Sequence, residues 1–72
     1  MKIDRVVPFR GIDPKTYRFK VINQYGAVKI GQPRPSEKNA TDEALAKFPK
    51  ATYIEIQSRI CGHYVTEAII RS

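Results

Sequence analysis

Residues 16–31 read TYRFKVINQYGAVKIG, and the fold turns on how this stretch pairs with itself. Tyr17, Phe19 and Val21 alternate with Arg18, Lys20 and Ile22, while Val28 and Ile30 alternate with Ala27, Lys29 and Gly31. That is the period of two that extended strands produce, so the stretch reads as a β-hairpin. A four-residue loop, Asn23-Gln24-Tyr25-Gly26, pairs Ile22 with Ala27, Val21 with Val28, Lys20 with Lys29 and Phe19 with Ile30, which makes one face apolar and the other basic. This register sets Lys20 against Lys29. Like charges directly opposite each other are destabilising by up to ~1 kcal/mol, so such a pair is either fully solvated or meets an anion.

Downstream of the hairpin, QPRPSEKN (32–39) has prolines on both sides of Arg34. They favour an extended surface path and remove backbone donors. Their spacing does not make a PxxP ligand, and a signalling role of that kind is not expected. Helix signals begin at Asn39 or Thr41, either of which can cap, and Asp42 and Glu43 suit the positive end of the helix dipole. Ala44, Leu45 and Phe48 supply a short apolar stripe, and Pro49 ends the helix. The helix expected is two turns long and held by packing Leu45 and Phe48 on a sheet.

Residues 51–60 place Ile54, Ile56, Ser58 and Ile60 on one side and Tyr53, Glu55, Gln57 and Arg59 on the other, the pattern of a half-buried strand. Tyr64 to Arg71 forms its hairpin partner. A three-residue turn, Cys61-Gly62-His63, pairs Ile60 with Tyr64, Ser58 with Thr66, Ile56 with Ala68, Ile54 with Ile70 and, outside, Gln57 with Glu67 and Tyr53 with Arg71. A two-residue turn sets Ile56 against Glu67 and is disfavoured for that reason. Upstream, Ile3, Val6 and Val7 make a short apolar stretch stopped by Pro8, at best an edge strand. The turn residues Gly11, Asp13 and Pro14 then lead into the central hairpin.

The fold expected is therefore a single small α+β domain in the order (β)ββαββ. The helix is expected on the sheet face formed by Tyr17, Phe19, Val21, Val28, Ile30, Ile54, Ile56 and Ile60. Strand order does not follow, because the 32–39 loop permits more than one crossover.

With 72 residues, such a domain buries only about 60% of its unfolded surface, which leaves no room for a spacious internal active site. One cysteine allows no internal disulfide and points to a reducing compartment, the cytoplasm by default. No apolar run is long enough for a signal peptide or a membrane span. Asn39-Ala40-Thr41 matches the glycosylation acceptor pattern, but it reads better as a helix entrance.

Candidate chemistry is sparse. Cys61 and His63 are the nearest thing to a nucleophile and base, but a tight turn does not shield them or orient an imidazole, so no catalysis is expected. One cysteine and one histidine cannot close a tetrahedral zinc site, and the four glycines fall singly at turns rather than in a phosphate loop. No enzyme activity, metal or cofactor is expected.

What remains is charge. The net charge is +6. Residues 1–38 carry Lys2, Arg5, Arg10, Lys15, Arg18, Lys20, Lys29, Arg34 and Lys38 against Asp4, Asp13 and Glu37, so the excess lies in the first half. A charge of this size also serves solubility, and a charged strand face discourages edge pairing. The functional expectation is a non-enzymatic binding module contacting nucleic-acid phosphates through Arg18, Lys20 and Lys29. Lys15, Arg34 and Lys38 stand at the margins, with Tyr25 at the hairpin tip to stack on a base. The alternative is an inhibitor or adaptor that docks on an acidic protein. Dimerisation through an open sheet edge is a third route, and a membrane surface is not expected because no basic amphipathic helix is present.

Overall fold

A computed structural model describes residues 2–6 and 13–71. The elements are β1 (Lys2–Arg5), β2 (Tyr17–Ile22), β3 (Val28–Ile30), α1 (Glu37–Lys47), β4 (Tyr53–Ile60) and β5 (His63–Arg71). All five strands join one antiparallel sheet in the spatial order β1-β5-β4-β2-β3. The domain is α+β with the expected element order, including the N-terminal edge strand. Of the turn expected ahead of β2, Gly11 lies outside the described residues, as do Val7 and Pro8.

The connection through α1 decides the strand order. It carries the chain from β3 back across β2 to the free side of that strand, where β4 pairs Phe19 with Ile56 and Val21 with Ile54. Arg34 is not part of a loose loop: its N–H and C=O both bond to Tyr17, at 2.7 and 2.8 Å, and extend the β3 side of the sheet beyond Gly31.

The hairpin register differs from expectation. Asn23 N–H donates to Ala27 C=O and Gly26 N–H to Asn23 C=O, both at 3.0 Å, and Gly26 takes φ +85°. Asn23 Oδ1 also accepts from the N–H groups of Tyr25 and Ala27. This is a three-residue loop built on a β-turn with glycine in the left-handed region, and it shifts the pairing by one. Lys20 now opposes Ile30, Val21 opposes Lys29, and Ile22 opposes Val28. The Lys20–Lys29 opposition does not form, and Val28 and Ile30 leave the core for the other face, 47% and 53% exposed.

The second hairpin turns on two residues, not three. Cys61 (φ 52°) and Gly62 (φ 80°) both adopt positive φ, so Ile60 pairs with His63. A bulge beside Ile56 and Gln57 then takes up the extra residue and restores the expected pairs Ile56 with Ala68 and Ile54 with Ile70. Glu67, the residue in excess, is buried and its Oε1 accepts from Ser58 Oγ at 2.7 Å. Because Cys61 carries a side chain in a region that favours glycine and asparagine, Cys61→Asn is expected to stabilise the domain by roughly 0.5–1 kcal/mol, read as a higher denaturant midpoint at constant m.

The helix begins earlier than its acidic residues suggest. Ser36 is the cap, its Oγ accepting from Asn39 N–H at 3.1 Å, with Glu37 in the first turn. That gives 11 residues rather than two turns. Ala40 and Ala44, fully buried and one turn apart, let the helix lie close on Phe19, Val21, Ile54 and Ile56. Leu45 and Phe48 pack at the margin, and the Phe48 ring meets Phe19 edge-on with centroids 5.8 Å apart. Gly31 is required by this packing, since a Cβ there would overlap the Phe19 ring. Gly31→Ala is expected to destabilise by about 1–3 kcal/mol, and a variant as stable as the wild type would show that the ring moves freely.

Candidate functional site

One face of the sheet carries α1. Among the described residues, no helix or strand covers the other. Alternation and register place on this open face Lys2 and Asp4 from β1, Arg18, Lys20 and Ile22 from β2, and Val28 and Ile30 from β3. β4 adds Tyr53, Glu55, Gln57 and Arg59, and β5 adds Tyr64, Thr66, Ile69 and Arg71.

Arg18 organises the centre. Its side chain crosses β4, donates Nε–H to Gln57 Oε1 at 2.9 Å, and lays its guanidinium 3.7 Å from the centroid of the Tyr64 ring on β5. This cover accounts for the burial of Gln57 on an otherwise open face. Arg71 stands 5.6 Å over the Tyr53 ring at the other end of β4.

The acids of this face are already engaged. Glu55 accepts from Thr66 Oγ1 at 2.7 Å and from the Tyr53 hydroxyl at 3.3 Å. Asp4 lies 4.0 Å from Lys2 and 3.9 Å from Arg71. Burial, and then the Glu55 carboxylate, push the Tyr53 phenol above its ordinary value of 10.0, so it stays protonated and donating at neutral pH. Lys20 and Arg59 make no ion pair among the described residues.

The structure disperses the expected basic set. Arg18 and Lys20 share the open face, but Lys29, opposite Val21, points to the helix side of β3. Lys15 is exposed ahead of β2. Tyr25, 86% exposed, lines with Val21 and Phe48 a groove of about 450 Å³ on the helix side, away from Arg18. Lys38 pairs with Asp42 at 2.9 Å on α1.

Arg34 binds Glu43 through both Nε and Nη2, and Lys47 adds a contact at 3.5 Å. The Arg34 hydrogen bonds hold the Glu43 carboxyl below its ordinary value of 4.5, and Arg34 is raised in turn. A lowered folded-state value means that this contribution to stability is present above about pH 4.5 and is lost as pH falls through the folded value. Acid titration of unfolding should therefore show a decline below that pH, and Arg34→Ala should flatten it.

The residues that complete the open face, Tyr53, Tyr64, Arg59 and Arg71, lie outside the expected set. The alternation of 53–60 already put Tyr53 and Arg59 on the polar side and paired Tyr53 with Arg71. What it lacked was the adjacency of β4 to β2, which brings Arg18 over Tyr64.

Among the described residues no group of His, Cys, Asp and Glu side chains could hold a metal ion, and no helix is long and apolar enough to cross a membrane. Comparison with protein-family models, with curated proteins and with solved structures finds no match.

Proposed function

We propose that the chain is a non-enzymatic nucleic-acid-binding module, working in the cytoplasm, that contacts phosphates with the open face of its sheet. One observation carries this: the open face holds five cations, Lys2, Arg18, Lys20, Arg59 and Arg71, against two acids, Asp4 and Glu55, and Asp4 reaches only Lys2 and Arg71, so a surplus of positive charge remains. Each phosphate neutralised by such a cation releases condensed counterions, so affinity falls with salt in proportion to the number of contacts.

A face-to-face second copy is disfavoured, since it would set these cations against their own counterparts. Titrating labelled random oligonucleotides at two salt concentrations tests the reading. Binding that weakens with a logarithmic slope of about −2 or steeper is expected, corresponding to three or more contacts. No binding at low salt would remove nucleic acid as the partner and leave the acidic-protein reading standing, which equal competition by polyglutamate would favour directly.

A further inference from the structure

Phosphate contact alone does not use the whole open face. At the β2–β3 corner Ile22, Val28 and Ile30 stand together with no covering element among the described residues, Val28 and Ile30 being about half exposed. A duplex presents its backbone outward and keeps its base faces stacked inside, so it would leave this corner in water. It also fits the sheet poorly. Strands lie about 4.8 Å apart, so five of them span roughly 19 Å from first to last, against a major groove about 12 Å wide. The two-stranded ribbons at the sheet edges, β2–β3 and β1–β5, have outer strands of only three and four residues and are each bound to β4 along the inner strand.

We infer that the ligand is single-stranded nucleic acid, with one base stacked at the Arg18–Tyr64 pair and others against the aliphatic corner, while the backbone follows Lys20, Arg59 and Arg71. The inference rests on the nucleic-acid reading above. Arg18 supplies the geometry: held by Gln57 and positioned over the Tyr64 ring, its planar guanidinium is a preformed group of the kind on which unpaired bases stack. Lys20 stands directly between Ile30 on β3 and Glu55 on β4, so a phosphate at Lys20 lies within one nucleotide of the apolar corner. This arrangement recognises base faces rather than base edges, so it tolerates any sequence. DNA and RNA share the chemistry, and parallel titrations of the two decide which binds better.

The test is fluorescence anisotropy at one moderate salt concentration with four probes of about twelve nucleotides. These are oligo-dT, oligo-U, a duplex of the same length and a single strand of abasic residues. At least one of oligo-dT and oligo-U is expected to bind tenfold or more tighter than both the duplex and the abasic strand. Tyr64→Leu should weaken the preferred strand by about tenfold, the scale of one lost stacking contact, and leave the abasic strand unchanged. Tyr64→Phe should restore binding. Ile30→Gln, at an exposed position that the fold does not depend on, should weaken the preferred strand severalfold and guards against misfolding of the Tyr64 variants. Duplex and abasic strand binding as tightly as the others would overturn the stacking inference while leaving phosphate contact standing. Failure of every probe here, and again when the titration is repeated at low salt, would overturn both.

Discussion

Phe19→Ala is expected to destabilise the domain by about 3–5 kcal/mol, enough to unfold much of the population of a chain this small. Phe19 is 2% exposed and lies where three elements meet. Its backbone pairs with Ile56, its ring takes the edge of Phe48, and Gly31 has no side chain because the ring fills that space. Removing the ring therefore opens a cavity between sheet and helix that neither the buried alanines of α1 nor the backbone at Gly31 can close. Thermal unfolding followed by circular dichroism checks this, with Val28→Ala as the comparison. Val28 is half exposed on the other face and should cost well under 1 kcal/mol. Equal losses at the two positions would mean that Val28 belongs to the core and that the shifted hairpin register is wrong.

The second large effect is on binding. Changing Lys20, Arg59 and Arg71 together to glutamine should reduce the logarithmic salt slope by about two to three units, near 0.7–0.9 per lost phosphate contact. All three lie on the open face and none fills the core, so the melting temperature should hold. Lys29→Gln is the control that separates the open face from the hairpin as a whole. Lys29 opposes Val21 on the helix side, so its loss should leave the slope unchanged. A slope that responds to Lys29 and not to the triple change would return the interface to the hairpin and take it away from β4 and β5.

Much of this was legible in the residues. The alternation in 17–22 and 53–60 correctly placed Phe19, Val21, Ile54 and Ile56 inward and Arg18, Lys20, Tyr53 and Arg59 outward, because a side chain's face follows from strand periodicity alone. The helix stop before Pro49 and the far pairs of the second hairpin followed in the same way. The errors lay at turns. Matching apolar faces favoured a register that buries Val28 and Ile30, whereas Asn23 and Gly26 form a shorter loop with more satisfied backbone groups. Local hydrogen bonding prevailed over the face match. At Cys61-Gly62 face matching alone disfavours a two-residue turn, which misaligns Ile56, yet a bulge at a single residue repairs the alignment while Glu67 accepts from Ser58. A sequence pattern carries no direct mark of a bulge, since only the partner strand shows which residue is in excess.

The sequence by itself determined which elements form, which side of β2 and β4 is apolar, and that the charge surplus is basic. These are properties of a residue and its near neighbours. Only the tertiary structure decided that β4 lies beside β2, and it did so through the α1 crossover and the fit of Ala40 and Ala44 over Phe19, Val21, Ile54 and Ile56. From that adjacency comes the proposed interface: Arg18 reaches across a strand almost forty positions later in the chain to lie over the Tyr64 ring, while Lys29, near Lys20 in sequence, is turned to the opposite side. A contact between residues so far apart depends on which strands become neighbours, and that is settled by packing the whole core at once rather than by any one stretch of it.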